Sequence, residues 1–156
     1  LSLGISIENI RAGFTKMTAS KMRFETVKRD GVTIINDAYN ASPASMRASI
    51  QTVAEIYGER KIAVLGDMLE LGDISEKVHR EVGAELVKNN FDTLITLGEL
   101  GKFIAAGAKD SGMENIFITD THEEAAKKIL SILREGDIIL FKASHGMHME
   151  KIIELI

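Results

Sequence analysis

No cysteine occurs in the chain, which excludes disulfide bonds and thiolate metal sites. Proline occurs once, and only 5% of the residues are aromatic. No apolar run approaches the roughly 20 residues that a membrane-spanning helix needs, and the first residues lack the basic segment and apolar core of a signal peptide. We therefore expect a cytoplasmic protein without a membrane span.

An excess of positive charge is lacking too. The 19 lysines and arginines are outnumbered by 23 aspartates and glutamates, and no basic tract is interleaved with aromatic residues. Domains that bind nucleic acid usually carry a basic surface, so we expect no nucleic-acid partner. The length of 156 residues, 45% of them apolar, is that of one ordinary globular domain.

Common nucleotide and metal motifs are also missing. No two of the 13 glycines stand two positions apart, so the G-x-G core of the dinucleotide-binding fingerprint is absent, and no G-x-x-x-x-G-K-[ST] phosphate loop occurs. His145 and His148 lie three positions apart without an obvious third metal ligand. We predict no metal site and no phosphate loop in this chain.

The chain does contain a regular alternation of strand and helix patterns. Two extended runs, 23–28 and 32–36, flank Asp30 and Gly31, a pair that favours a tight turn, so they predict an antiparallel hairpin. Four continuous apolar runs are typical of strands buried on both faces of a parallel sheet: 62–65, 93–97, 116–119 and 137–141.

Helical spacing separates these runs. Ser42 and Pro43 predict the start of a first helix whose apolar face extends to Tyr57, and Asp73 with Glu76 predicts the start of a second. Three more helices are predicted over 99–111, from a capping box at 121–124 to a stop at Gly136, and over 149–156. The alternation favours a doubly wound, Rossmann-like α/β fold with a mostly parallel sheet of about six strands and an N-terminal antiparallel hairpin.

The first residues are expected to stand outside this fold. Residues 3–18 have the spacing of a short helix with Ile7, Ile10 and Phe14 on one face, and the chain begins with leucine. We therefore expect a piece of a longer protein.

Polar side chains are concentrated directly after three predicted strands, where open α/β sheets bind their ligands. They stand in the strings NDAYNASP (36–43), GDMLELG (66–72) and KASHG (142–146). With Ser45 and Met46 after the first string, His79 and Gly83 after the second, and Met147, Met149 and Glu150 after the third, they resemble the C-terminal domain of the Mur ligases, especially the MurF type. The resemblance runs from about residue 22 to the end. It implies that residues 21–156 form this C-terminal domain and that residues 1–20 are the remainder of the central ATP-binding domain and its linker.

The resemblance implies ATP-dependent amide formation in peptidoglycan precursor synthesis. ATP phosphorylates the terminal carboxylate of a UDP-N-acetylmuramoyl-tripeptide, and the amine of D-alanyl-D-alanine attacks the acyl phosphate. In this family the phosphate loop, the Mg²⁺ ligands and most of the nucleotide-sugar site belong to the N-terminal and central domains. We therefore expect this domain to close over ATP and to hold the dipeptide, but to be inactive and without a tightly bound cofactor when alone.

By the same resemblance, four residues are expected to face ATP. Arg23 corresponds to an arginine that reaches the phosphate, Asp37 to the residue that accepts from the ribose, and Tyr39 and Asn40 lie along the adenosine. The family commonly has glycine or histidine where this chain has Met22. The alternatives are that Arg23 is a surface residue of an edge strand and that Asp37 and Asn40 shape a turn.

Lys142, Ser144 and His145 resemble the group that holds the incoming amino acid or dipeptide. An ammonium and a hydroxyl beside a helix start suit a carboxylate. The family usually has glycine at Ala143 and often arginine at His145, and a histidine there would make binding sensitive to pH.

Asp67 and Glu70 are expected either to orient the amine or to cap the following helix. His79 and the methionines are interpreted as structural, and no residue of this chain is predicted to be catalytic. Two other hypotheses stay open: the same domain of a sibling ligase that adds one amino acid, and a free-standing α/β module that binds a small ligand or a partner.

Overall fold

A computed structural model describes residues 6–9, 11 and 21–156. Its strands are β1 (Glu25–Arg29), β2 (Val32–Asn36), β3 (Lys61–Gly66), β4 (Thr93–Leu97), β5 (Ile116–Thr119) and β6 (Ile138–Lys142). Its longer helices are α1 (Pro43–Ala54), α2 (Ser75–Lys88), α3 (Gly101–Asp110), α4 (His122–Ile132) and α5 (Glu150–Leu155). Two short 3₁₀ turns lie at Gly72–Ile74 and His145–Met147.

The six strands form one mixed sheet in the order β1-β2-β6-β3-β4-β5. β1 pairs with β2 antiparallel, and every other pair is parallel, so the predicted fold class is confirmed. The last strand, β6, is inserted between β2 and β3. This insertion makes the carboxyl ends of β2, β6 and β3 neighbours, and these are the three strands that the polar strings follow.

Both faces of the sheet are covered by helices. On one face, Leu65 and Leu94 belong to a core shared with α1, α2 and α3. On the other face, Val64 and Phe141 belong to a core shared with α4 and α5. Each fully buried side chain of this size contributes about 1.5–3 kcal/mol, so the central strands are strongly held and form a rigid base for the loops at their ends.

The helix starts were predicted with mixed success. Ser42 caps α1 as predicted, with its hydroxyl accepting from the backbone N–H of Ser45 at 3.3 Å. The predicted start of α2 at Asp73 is wrong, because a 3₁₀ turn intervenes and Ile74, at the helix start, has no side chain that can cap it. The placement of Tyr57 on the apolar face of α1 is also wrong, because the helix ends at Ala54 and Tyr57 is fully exposed.

Helix α4 is shorter than predicted. Thr121 caps α4 as predicted, but the helix ends at Ile132, before Gly136, because Leu133 has extended backbone. Gly136, with a φ of 87°, lies instead in the turn that leads into β6.

The predicted helix over 3–18 lies mostly outside the described residues, and Ile7, within them, is helical and exposed.

Two glycines allow α2 and α3 to cross at backbone contact. A Cβ atom on Gly83 would overlap the carbonyl oxygen of Ile104, and one on Gly107 would overlap the carbonyl oxygen of Arg80. Backbone atoms cannot turn aside as a flexible side chain can, so the crossing requires glycine at both positions.

Candidate functional site

Three loops meet at the carboxyl edge of the sheet: residues 37–42 after β2, 67–71 after β3 and 143–149 after β6. The backbone N–H of Ser144 donates to the carbonyl of Asp67 at 3.0 Å, and its hydroxyl accepts from the N–H of Leu69 at 2.9 Å. At the end of β6, the Nζ atom of Lys142 donates to the carbonyl of Asn40 at 3.0 Å. The three polar strings therefore lie along one continuous edge.

Asp37 is the most connected side chain of this edge. Its Oδ2 atom accepts from Nζ of Lys142 at 2.6 Å and from the hydroxyl of Ser49 at 2.5 Å, and its Oδ1 atom accepts from the N–H of Phe24 at 3.0 Å. A carboxylate offers about four lone-pair positions, so about one is left for an external donor. The side chain is 17% exposed, which gives such a donor access.

Lys142 is almost completely buried, with 2% of its surface exposed. Besides the Asp37 carboxylate, its ammonium contacts the carbonyl of Asp37 at 3.2 Å and that of Asn40 at 3.0 Å. An ammonium has three donors, and all three have partners here. The sequence assigned Asp37 and Lys142 to different halves of the site, whereas the structure places them in direct contact.

Arg23 lies before β1, because the strand predicted over 23–28 begins only at Glu25. Its guanidinium lies over the ring of Tyr39, 3.9 Å from the ring centre, an arrangement that attracts a cation to the ring face. The neighbours Met22 and Phe24 have φ values of 61° and 52°, in the left-handed region that favours glycine. Of the two residues that the resemblance led us to expect at position 22, glycine or histidine, glycine suits this backbone.

The strained segment around Arg23 is held by hydrogen bonds. The N–H of Phe24 donates to the Asp37 carboxylate, and the N–H of Tyr39 donates to the carbonyl of Met22 at 3.0 Å. Left-handed conformations of ordinary residues cost of the order of 1–3 kcal/mol each and persist only where the surroundings fix them. The 37–42 loop therefore fixes the position of Arg23.

Exposed rings continue the edge beyond Tyr39. The ring centre of His145 lies 5.7 Å from that of Tyr39, and His148 lies 6.1 Å from His145. Nδ1 of His148 is 3.0 Å from a carboxylate oxygen of Glu150. Burial disfavours the charged form of Glu150, but hydrogen bonds from its own backbone N–H and from His148 outweigh it and lower the pKa of this carboxyl.

Asp67 is buried and holds a different helix from the one predicted. Its Oδ1 atom accepts from the N–H of Gly101 at 2.8 Å, so it caps α3 and not α2, and the alternative that it caps the following helix is wrong. Burial raises the pKa of Asp67, against the opposing effect of this hydrogen bond. Glu70 is exposed, with a φ of 66°, at the outer end of the 67–71 loop.

His79 is a buried structural residue, as predicted. Its Nε2 atom accepts from the N–H of Met68 at 2.9 Å, and its Nδ1 atom donates to the carbonyl of Ser75 at 2.7 Å. This pattern requires the neutral ring with its proton on Nδ1. Met149, fully buried in the core on the α4 and α5 side, is structural as well, which confirms the prediction for this methionine.

Ser49 is a site residue that the sequence interpretation missed. It lies on the buried face of α1 between Met46, Ile50 and Val53 and donates to Asp37. A polar residue on an apolar helix face is the signal that could have identified it, because buried hydroxyls need hydrogen-bond partners.

Arg23, Asp37, Tyr39, Asn40 and Lys142 share a cleft of about 270 Å³ with Ser42 and Ser45. Pockets that enclose a small ligand usually measure about 300–1,000 Å³, so this cleft is too small to enclose such a ligand by itself. Across the described ranges, no helix is long and apolar enough to cross a membrane. The same ranges contain no group of three histidine or carboxylate side chains placed to hold a metal ion.

Two curated relatives of this chain have the same name. It is 44% identical over 97% of its length to UDP-N-acetylmuramoyl-tripeptide--D-alanyl-D-alanine ligase from Bacillus subtilis (strain 168). It is 34% identical over 94% of its length to the protein of the same name from Mycobacterium bovis (strain ATCC BAA-935 / AF2122/97). The chain spans 34% and 33% of these relatives, about one third of their length.

Solved structures agree with these relatives, and a family model matches most of the chain. MurF ligase from Thermotoga maritima in complex with ADP superposes with a TM-score of 0.83 at 29% identity, over 99% of this chain and 34% of that one. MurF from Acinetobacter baumannii gives 0.84 at 30% identity, over 98% and 34%. The family described as Mur ligase, glutamate ligase domain, matches residues 22–145. The chain therefore belongs to the Mur ligase family, as its three polar strings predicted, and forms the glutamate ligase domain of that family.

Proposed function

We propose that this chain is the C-terminal domain of an ATP-dependent ligase that joins D-alanyl-D-alanine to a UDP-N-acetylmuramoyl-tripeptide. The observation that carries the proposal is the 44% identity to a ligase of this name across 97% of the chain. The meeting of the three loops at one sheet edge supports it, because a ligand bound there would contact all three. Residues 1–20 would belong to the central domain and its linker, and residues 21–156 to this domain.

The nucleotide side of the site consists of Arg23, Asp37, Tyr39 and Asn40. The free lone pair of Asp37 would accept a ribose hydroxyl, and the exposed ring of Tyr39 would lie along the adenosine. The guanidinium of Arg23, which the ring of Tyr39 holds at the surface, would turn toward phosphate oxygens. Bound ATP supplies the phosphoryl group that converts the tripeptide carboxylate into an acylating agent.

Mg²⁺ does not fit the part of this chain that the structure describes. Divalent magnesium prefers several oxygen ligands, whereas the best-placed carboxylate, Asp37, is neutralised by Lys142. We assign the metal ligands and the phosphate loop to the central and N-terminal domains of the same protein.

The dipeptide side consists of Ser144 and His145, with Asp67 and Glu70 from the neighbouring loop. The hydroxyl of Ser144 accepts from Leu69 and keeps its own proton, which it would donate to the dipeptide carboxylate. His145 and Glu70 are exposed beside it, whereas Asp67 is buried and would fix the loop from below. Because the reaction consumes ATP and a UDP-linked intermediate, we place the protein in the cytoplasm, where it serves cell-wall synthesis.

Product analysis tests the proposal directly. The full-length protein is incubated with ATP, Mg²⁺, UDP-N-acetylmuramoyl-tripeptide and D-alanyl-D-alanine, and the products are identified by mass spectrometry. We expect the tripeptide to gain the mass of the dipeptide less one water, with one ADP and one phosphate formed per bond. Acceptance of a single amino acid in place of the dipeptide would instead identify a sibling ligase. The absence of any ATP-dependent product would favour the other hypothesis, a module that only binds a ligand or partner.

A further inference from the structure

Strand β6 carries a buried charged pair at each end. Just before it, Asp137, 1% exposed, pairs with Arg60 through contacts of 2.6 and 2.9 Å. At its last residue, Lys142 pairs with Asp37 at 2.6 Å. The shortest contact of each pair is 2.6 Å, and the two pairs lie at opposite ends of one strand, but only the second is at the carboxyl edge where the three loops meet.

We propose that Lys142 is a positioning residue for the nucleotide and not a ligand of the dipeptide. This role rests on the proposed function. All three ammonium donors are directed to the 37–42 loop, two of them to backbone carbonyls, so Lys142 fixes both the side chain of Asp37 and the path of the loop to Asn40. An ammonium buried to this extent has no donor left for an incoming carboxylate.

The effect of Lys142 extends to every residue on the nucleotide side. Asp37 uses its other oxygen to hold the N–H of Phe24, directly after Arg23. Tyr39, whose ring supports the Arg23 guanidinium, stands between the two residues whose carbonyls the ammonium binds. Loss of this one charge therefore removes the contacts that fix one oxygen of Asp37 and the loop on both sides of Tyr39, while Asp37 keeps its contacts with Phe24 and Ser49.

A purely structural pair would behave differently. Breaking a buried pair by removing one partner lowers stability wherever the pair lies, but it changes substrate binding only where a binding group moves. Asp137→Asn is the matched control: it breaks the other pair of β6 and leaves Arg60, whose side chain is 25% exposed, able to reach water.

The experiment measures the KM values for ATP and for D-alanyl-D-alanine in the full-length ligase. We expect Lys142→Met to raise the KM for ATP by about tenfold or more, the effect of losing one charge-assisted hydrogen bond, and to change the dipeptide KM less than about twofold. Asp137→Asn should lower the urea midpoint and leave both KM values unchanged. If Lys142→Met does not fold, Lys142→Arg, which keeps the charge but displaces it, should show the same split.

A double substitution shows whether Lys142 acts through Asp37. If it does, adding Lys142→Met to Asp37→Asn should raise the ATP KM by a smaller factor than Lys142→Met does in the wild type, and an equal factor would overturn the coupling. A raised dipeptide KM with an unchanged ATP KM would overturn the inference, and so would unchanged KM values for both substrates. The wild type is assayed first: a wild type without ligation overturns the proposed function, whereas the wrong KM pattern in an active enzyme overturns only the role of Lys142.

Discussion

The pair of Asp37 and Lys142 predicts an asymmetric loss of stability on substitution. In Asp37→Asn the ammonium of Lys142 stays buried without its counter-charge, because only 3% of its side chain reaches solvent. Removing one partner of a buried pair costs about 3–5 kcal/mol. A domain of this size has a total stability of about 5–15 kcal/mol, so Asp37→Asn should remove a large share of it.

Lys142→Met should be the milder change. Methionine fills a similar volume, and the Asp37 carboxylate that remains is 17% exposed and still accepts from Phe24 and Ser49. The loss is then close to that of one charge-assisted hydrogen bond, about 1.5–3 kcal/mol. The double variant, which buries no unpaired charge, should be more stable than Asp37→Asn alone.

Urea unfolding of the 156-residue chain, followed by circular dichroism at pH 7, measures all four proteins. Equal slopes of free energy against urea concentration would show that the midpoints report stability. A loss below about 1 kcal/mol for Asp37→Asn would mean that the pair is hydrated and would refute this account of the site. A larger loss for Lys142→Met than for Asp37→Asn would refute the assignment of Lys142 as the buried partner.

Four other substitutions probe the helix crossing, the buried carboxylates and the phosphate side. Gly107→Ala should lower the free energy of unfolding by about 1–3 kcal/mol, because its methyl group meets the backbone of α2; an unchanged urea midpoint would contradict the crossing. Burial raises the pKa of Asp67 in the folded state above its ordinary 3.8, so the free energy of unfolding falls as pH rises from 3.8 through the folded-state pKa. Asp67→Asn does not titrate, so its stability relative to the wild type should increase over this pH range and stay increased at neutral pH. The hydrogen bond from Gln51 lowers the pKa of Glu85 below its ordinary 4.5, so the stabilisation by this carboxylate is present above pH 4.5 and lost in acid. Glu85→Gln should therefore be less stable than the wild type above pH 4.5, with a difference that shrinks in acid, whereas Asp67→Asn should be the more stable protein. Urea midpoints of each variant that run parallel to the wild type over several pH values would contradict the pKa shifts of both carboxyls. In the full-length ligase, Arg23→Ala should reduce kcat by about 100-fold or more with little change in the urea midpoint, and a normal kcat would remove the phosphate role.

Local pattern predicted the positions of the strands well, since the runs 93–97 and 116–119 coincide with β4 and β5. Burial on both faces, which uninterrupted apolar residues predicted, is confirmed for β4. It is wrong for β5, an edge strand in which Ile118 is 53% exposed. The insertion of β6 between β2 and β3 was not predicted, since the order of strands depends on how distant segments pack. Tyr57 shows the limit of helical spacing, because α1 ends three residues before it.

The site was predicted in its parts but not in its connections. The strings identified Asp37, Lys142 and Asp67 from residue type and position after a strand. The partners of these side chains are distant in sequence: Asp37 meets Lys142 across 105 residues, and Asp67 caps a helix 34 residues further on. Residue type and resemblance assigned Lys142 to the dipeptide and let Asp67 either orient the amine or cap the following helix. Burial and non-local hydrogen bonds, which the sequence did not predict, pair Lys142 with Asp37 and place Asp67 at the start of α3.

Calorimetric titration of Mg²⁺-ATP tests most directly the central claim that this chain supplies one wall of a nucleotide site completed by other domains. The account predicts no saturation of the 156-residue chain below about 1 mM ATP, together with saturable binding by the full-length protein within the range of about 1 μM to 1 mM that is typical of enzymes. Saturable binding of ATP to the chain alone with a submicromolar Kd would contradict it.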